Sequence, residues 1–251
     1  MVAAVKLHRH VGRRRAERFL AEGPNLVEAA LRRGLVTEVF ATEAALDRFG
    51  SMLSGAPVHL VTDRAAKALS ETVTPVGLVA VCALPQTSLG DVLSGSPRLV
   101  AVAVEISEPG NAGTLIRVAD AMGADAVVLA GHSVDPFNGK CLRSSAGSIF
   151  SIPVVTGPEV ADARAVVTSL HDAGLQMLAT TVDGEVSLDD VALSTPTAWL
   201  FGPEAHGLPA DVAAAATHRV HIPMPGGAES LNVASAAAIC LYQSARAHRA
   251  N

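Results

Sequence analysis

Three cysteines in 251 residues, Cys82, Cys141 and Cys240, are too few and too scattered to form a disulfide framework, a zinc site or a redox pair. They read as reduced, buried side chains of a cytoplasmic protein. Charged residues are scarce at 17% and apolar ones make up 49%. Glycine, proline and polar turns nevertheless interrupt each apolar stretch before it reaches the roughly 20 residues of a membrane span. The N-terminus lacks the short apolar core and small-residue cleavage site of a secretory signal. No period of about 20 to 50 residues repeats, which removes solenoids and arrays. A chain of this length holds one large domain or two modest ones without covalent staples.

The charge that is present is unevenly placed. Residues 1–33 hold eight basic side chains (Lys6, Arg9, Arg13, Arg14, Arg15, Arg18, Arg32, Arg33) against three acidic ones, a net +5; the overall −5 therefore leaves −10 for the rest. A basic N-terminal surface on an acidic body suits a polyanionic partner. The competing reading is a disordered, solvated arm.

From about residue 24 short helix-like and strand-like stretches alternate: NLVEAALRRG, LVTEVFA, EAALDRF, PVHLV, DRAAKALSE and GLVAVCAL. They predict a small α/β domain over 1–84. Residues 85–97 concentrate Pro, Gly and Ser and read as a connection. Beyond them RLVAVAVE, DAVVLAG, SIPVV, LQMLATTV, TAWLFG and HRVHIPM read as strands. AGTLIRVADAMGA, EVADARAVVTSLHDAG and NVASAAAICLYQSARAH lie between or after them as helices. The order predicts a second α/β domain over 98–251, a mostly parallel sheet covered by helices.

In such sheets ligands collect outside the carboxyl ends of the strands, and three of those loops are unusual. EPGNAGTLIRVADAMGAD places Asn111 and Gly113 at a helix start and Arg117 on its first turns. Asn111 is either a helix cap or a site residue; Arg117 faces either solvent or a cleft with a polar or anionic partner. In LFGPEAHGL, Gly202 and Gly207 have phosphate-loop spacing, but Leu208 stands where that motif needs Lys. What is left is a glycine-bounded backbone loop around Glu204, equally readable as a plain turn. HIPMPGGAESLNVASAAA makes a tight excursion before Ser230 and Asn232, either of which can cap the following helix.

Together, and in this order, the three segments resemble the motifs of the SpoU/TrmH branch of the SPOUT superfamily, RNA 2′-O-ribose methyltransferases. The likeness spans about residues 98–248, and Glu229-Ser230-Leu231-Asn232-Val233 is its most specific string. The resemblance implies a parallel α/β domain closed by a trefoil knot, S-adenosylmethionine as cofactor, no metal, and a homodimer pairing through the C-terminal domain. It assigns the cofactor to Leu200, Gly202, Gly207, Ile222, Met224, Ser230, Leu231 and Asn232. Asn111, Arg117, Glu204, Ser230 and Asn232 become the catalytic cluster, with Arg117 acting on the ribose 2′-hydroxyl. Ser107-Glu108-Pro109-Gly110 departs from the family, which more often has Asn or Asp ahead of the proline. KCLRSSAGSIFSIPV resembles the family's connecting segment and makes Lys140 and Arg143 candidate phosphate contacts beside Arg13, Arg14, Arg15 and Arg18, with ordinary surface charge as the alternative. The N-terminal domain loosely resembles the ribosomal-protein-like RNA-recognition domain of many such enzymes.

Methyl transfer to a ribose hydroxyl is a direct displacement that needs alignment and removal of one proton. A guanidinium offers donors and no acceptor, so Arg117 either serves as the family's base or positions a phosphate and stabilises the developing alkoxide. The 2′-hydroxyl separates RNA from DNA. A separate recognition domain favours 23S ribosomal RNA, including the thiostrepton-resistance type of target, over transfer RNA. Rival readings are a transfer-RNA methyltransferase, a silent RNA-binding protein of the same fold, a nicotinamide enzyme, which lacks its Gly-x-Gly-x-x-Gly, and a metal hydrolase, whose histidines are not grouped as ligands.

Overall fold

Strand alternation explains the first sheet. Leu78, Ala80 and Cys82 enter one apolar cluster while Val79 and Val81 enter another, so a strand buried on both faces reads as one continuous apolar run. The computed structural model describes residues 1–249; the last two residues of the expected second domain, 250 and 251, lie outside the described residues. The first part contains helices α1 (Val2–Val5) and α2 (His10–Ala16), strand β1 (Arg18–Glu22), α3 (Pro24–Arg32), β2 (Val36–Ala41), α4 (Glu43–Phe49), β3 (Val58–Leu60), α5 (Asp63–Ala68) and β4 (Leu78–Ala83). The sheet order is β1-β4-β2-β3, with β4 antiparallel to both neighbours and β2 parallel to β3. Thr42 and Thr62 cap α4 and α5 by accepting from the backbone N–H three residues on, at 3.2 and 3.3 Å.

The basic arm is ordered, which the disordered reading did not anticipate. Its helices lead through Glu17, in the left-handed region at φ 51°, into β1, whose Phe19 and Ala21 face one cluster and Leu20 the other. The expected connection also contains structure: Ser88 and Asp91 form a reciprocal capping box at the start of α6 (Leu89–Ser94). Leu89 and Val92 of that helix join the apolar layer under the second sheet.

The second part contains β5 (Leu99–Val104), α7 (Pro109–Ala121), β6 (Ala126–Ala130), α8 (Gly139–Ser145), β7 (Val154–Val155), α9 (Ala163–Asp172), β8 (Gln176–Thr180), β9 (Val186–Ser187), β10 (Thr197–Phe201), α10 (Ala210–Ala214), β11 (His218–His221) and α11 (Val233–Arg249). Its sheet has seven strands in the order β7-β6-β5-β10-β8-β11-β9, and every neighbouring pair is parallel. Alternate residues of β5 serve the two faces: Leu99, Ala101 and Ala103 meet α7, α8 and α11, while Val100, Val102 and Val104 meet α6, α9 and α10. This three-layer arrangement gathers the carboxyl ends of β5, β10 and β11 along one edge.

Two contacts hold the site's supporting helices. Gly113 lets α7 lie directly on α8; a Cβ there would stand 2.4 Å from the Cys141 carbonyl oxygen. Buried Trp199 in β10 donates from Nε1 to Ser244 Oγ on α11 at 2.9 Å. The two parts also share a core: the Phe19 ring lies 5.0 Å from that of Phe137 and 5.9 Å from that of Phe150.

Candidate active site

Glu204 sits in the loop after β10 and gathers the other two loops around one carboxylate oxygen. Its Oε1 accepts from Asn111 Nδ2 at 2.9 Å, Asn232 Nδ2 at 3.0 Å and the Val233 backbone N–H at 3.1 Å. Asn232 Nδ2 also lies 3.0 Å from Asn111 Oδ1. Residues 93 and 121 positions apart thereby form one triangle.

The capping alternatives are resolved differently for the two asparagines. α7 begins at Pro109 and its cap is Glu108, which accepts from the Gly110 N–H at 3.2 Å. Asn111 thus lies inside the first turn, with its side chain free for the triangle. Asn232 does both: Oδ1 accepts from Ala234 and Ser235 N–H at 3.0 and 3.4 Å, while Nδ2 serves Glu204 and Asn111.

Beside the triangle is a cavity of about 530 Å³, within the range of small-molecule and cofactor pockets. Of the residues assigned to a cofactor by resemblance, Gly202, Gly207, Ile222, Met224, Ser230 and Leu231 line it. Leu200 does not; it is fully buried in β10, beneath the loop that forms the wall. Asn232 belongs to the adjoining triangle.

Three features fit S-adenosylmethionine. A Cβ on Gly202 would stand 2.6 Å from Gly207 C and Leu208 N, so the loop closes into a cradle of backbone that only glycine permits. Thr181 Oγ1 on the same wall is buried without a hydrogen-bond partner, a polar atom that a ligand would satisfy. The Asp183 and Glu204 carboxylates outnumber the one guanidinium, that of Arg219, among the lining residues, which suits a cofactor of net positive charge. Nearby Arg219 is neutralised locally: Nε donates to Glu185 Oε2 at 2.9 Å and Nη1 lies 3.4 Å from Asp183 Oδ2. Its backbone N–H holds the Glu185 carboxyl below the ordinary range. Sequence reasoning passed over Thr180, Thr181 and Asp183, although LQMLATTV was read as a strand and its carboxyl end was the signal to follow.

Arg117 is not brought to the cavity. It is exposed on α7 and does not line the cavity wall.

The basic residues divide. Arg14, Arg15 and Arg18 are exposed. Arg13 is a correction to the RNA-facing set, since it is 5% exposed and its guanidinium is fully engaged. Nε donates to Asp135 Oδ2 at 2.8 Å and Nη1 to the carbonyls of Leu7 and His8 at 2.9 Å each. Lys140 pairs with Glu108, drawing its carboxyl below the ordinary range through their hydrogen bond. Arg143 lies 3.9 Å from both Glu22 and Glu71. The Lys140–Glu108 pair is exposed on both sides, and pairs of that kind contribute little to stability.

Burial pushes the Cys82 and Cys141 thiols up to about 12 and raises Cys240 as well. Among the described residues no three His, Cys, Asp or Glu side chains gather as a metal-binding group. Among the described residues no helix is long and apolar enough to cross a membrane.

Residues 98–242 match the SpoU rRNA Methylase family, and residues 3–80 match the MRM3-like substrate binding domain. The chain is 37% identical to the 23S rRNA (guanosine(2553)-2′-O)-methyltransferase RlmP of Bacillus subtilis, over 94% of this chain and 92% of that protein. A crystal structure of an RNA 2′-O ribose methyltransferase superposes with a TM-score of 0.85 at 33% identity, covering 100% of this chain and 96% of that one. The SpoU methyltransferase AviRb from Streptomyces viridochromogenes, solved in complex with AdoMet, also superposes with a TM-score of 0.85. It is 29% identical, with 99% and 98% of the two chains covered.

Proposed function

Because the chain belongs to the SpoU rRNA methylase family, we propose that it methylates a ribose 2′-oxygen of 23S ribosomal RNA, with the Asn111–Glu204–Asn232 triangle as its reaction centre. It is an S-adenosylmethionine-dependent RNA 2′-O-methyltransferase. The observation that carries the site assignment is the convergence of three distant loops on Glu204 Oε1 beside a cavity that fits the cofactor. The likeness to RlmP over nearly the whole of both chains supports 23S ribosomal RNA as the substrate.

When bound, S-adenosylmethionine supplies a methyl carbon made electrophilic by a positively charged sulfur. The glycine-bounded 202–207 loop would hold the cofactor largely through backbone groups, with Ile222, Met224 and Leu231 as its apolar walls and Thr181 gaining the partner it lacks. Glu204 Oε1 is occupied by three donors; Glu204 is a positioning residue that fixes Asn111, Asn232 and the start of α11 together. Ser230, exposed on the cavity rim, presents a hydroxyl toward the incoming ribose. Alignment of this kind is worth orders of magnitude in a displacement reaction.

Arg117 lies away from this cavity and acts on the RNA phosphate or the developing alkoxide once a second copy and the RNA are in place. The pairing runs through α11, where exposed Ile239 and Tyr242 offer apolar surface. The same reading includes the trefoil knot and a cytoplasmic enzyme, and it places Arg14, Arg15, Arg18, Lys140 and Arg143 against RNA phosphates.

The test incubates the protein with methyl-labelled S-adenosylmethionine and an unmodified 23S ribosomal RNA transcript and maps the label. One ribose 2′-oxygen should be labelled, and Asn232→Ala should abolish it. Label on a base, or undiminished label with Asn232→Ala, would refute the assignment.

A further inference from the structure

A larger cavity, of about 1030 Å³, lies in the crevice between the two domains. One wall carries His10 and Arg14 of α2 and Gln86 of the connection; the other carries His132 and Phe137 from the segment after β6. Pro109, which opens α7 two residues before Asn111, also lines it. The cleft therefore abuts the loop that carries the first corner of the reaction centre.

Its polar groups fall into two sets. Ser133 and Asn138 are turned inward as scaffolding: the Ser133 hydroxyl meets the Ala103 and Ala130 carbonyls, and Asn138 caps α8 by accepting from the Cys141 N–H at 3.0 Å. Asp135 is neutralised by Arg13. In contrast, His10, Arg14, Gln86 and His132 are all exposed and form no side-chain hydrogen bond or ion pair among the described residues. Against one opposing carboxylate on the wall, Glu17, they offer a guanidinium, an amide and two imidazoles. That set suits a phosphodiester together with a base edge or ribose.

The width of the cleft is held by the joint between the domains, where Phe19 packs on Phe137 and Arg13 meets Asp135. A cleft held open beforehand loses little on ordering its ligand. We propose that this interdomain cleft is a second RNA subsite, taking a nucleotide that neighbours the methylated one, with Arg14 on its phosphate and Gln86 and His132 on its base or ribose. The proposal rests on the reading of the chain as an RNA methyltransferase, and it adds a recognition site that the reaction centre does not contain.

The experiment uses the full-length protein and an unmodified 23S ribosomal RNA transcript, with Arg14→Ala, Arg14→Lys and the double variant Gln86→Ala/His132→Ala. Transcript binding should weaken about tenfold in Arg14→Ala and in the double variant. The KM for RNA should rise alongside, while kcat stays within about twofold and S-adenosylmethionine affinity is unchanged. Arg14→Ala should lower the slope of log affinity against log salt by about one, as loss of one phosphate contact requires. Arg14→Lys should restore most of the binding. Wild-type RNA affinity and KM in both variants would overturn the cleft assignment, even if Asn232→Ala still abolished methylation and so upheld the reaction centre. A wild-type protein that bound the transcript without methylating it would sink the parent reading instead, and the binding series would still decide the cleft.

Discussion

Arg13 Nη2 lies 2.6 Å from Asp135 Oδ2, joining the N-terminal basic segment to the loop after β6. The two side chains are 6% and 17% exposed, so each depends on the other for neutralisation. Arg13 also closes the preceding turn through the carbonyls of Leu7 and His8. One side chain thus orders the basic segment and seats it on the methyltransferase domain.

Removing one partner should leave an uncompensated charge in that joint. Asp135→Ala is expected to lower unfolding free energy by about 3 kcal/mol, read by urea denaturation. Its exposed neighbour Arg14→Ala should stay within about 0.5 kcal/mol of wild type. Equal stabilities for the two variants would refute the assignment of Arg13 to the joint.

Glu204→Ala removes the acceptor shared by Asn111, Asn232 and the Val233 N–H. We expect methyl transfer to fall about a hundredfold, with a stability loss of about 1–2 kcal/mol from the unmatched donors. Glu204→Gln keeps one acceptor oxygen and should fold like wild type. Single-turnover rates with saturating cofactor, alongside denaturation curves, separate the two effects.

Gly202→Ala drives a Cβ into the backbone of Gly207 and Leu208, reshaping the cradle. Affinity for S-adenosylmethionine should drop by at least about tenfold on calorimetric titration, since a misplaced backbone forfeits its hydrogen bonds. Gly113→Ala, which instead crowds Cys141 in α8, should destabilise by about 1–3 kcal/mol. A Gly202→Ala protein with wild-type cofactor affinity would remove the loop from the binding site.

The three buried thiols should resist modification by a thiol reagent at pH 8 until the protein unfolds, then react together. Their folded-state pKa values are raised, about 12 for Cys82 and Cys141, above the roughly 8.5 of a free thiol. Burial thus favours the neutral form: its contribution is complete below about pH 8.5 and is lost as pH rises toward 12, because only the unfolded state ionises in that window. Replacing Cys82 and Cys141 with alanine should flatten the alkaline side of the stability curve; an unchanged alkaline limb would contradict this.

The two expected α/β regions were legible because each element carries its own periodicity. β5, β6 and β10 read as continuous apolar runs, and they are buried on both faces. β1 was missed because its apolar core is the three-residue run Phe19-Leu20-Ala21 beneath a heavy load of arginines, and its pairing with β4 spans about sixty residues. The two-residue strands β7 and β9 are too short to carry a period of their own; SIPVV was recognised only through its apolar run.

Sequence alone determined which residue types could meet at the site: Asn111, Glu204, Ser230 and Asn232 stand in ordered motifs with glycines where the backbone must turn tightly. Tertiary structure decided which of them share an oxygen atom, that Asn232 caps a helix while serving the triangle, and that Arg117 is exposed and absent from the cavity wall. It also removed Arg13 from the basic surface. The physical reason is that charge and periodicity are local properties of a chain, whereas burial and pairing depend on what another segment brings. Nothing near Arg13 announces Asp135, 122 residues away; only the packing of Phe19 against Phe137 brings the two together.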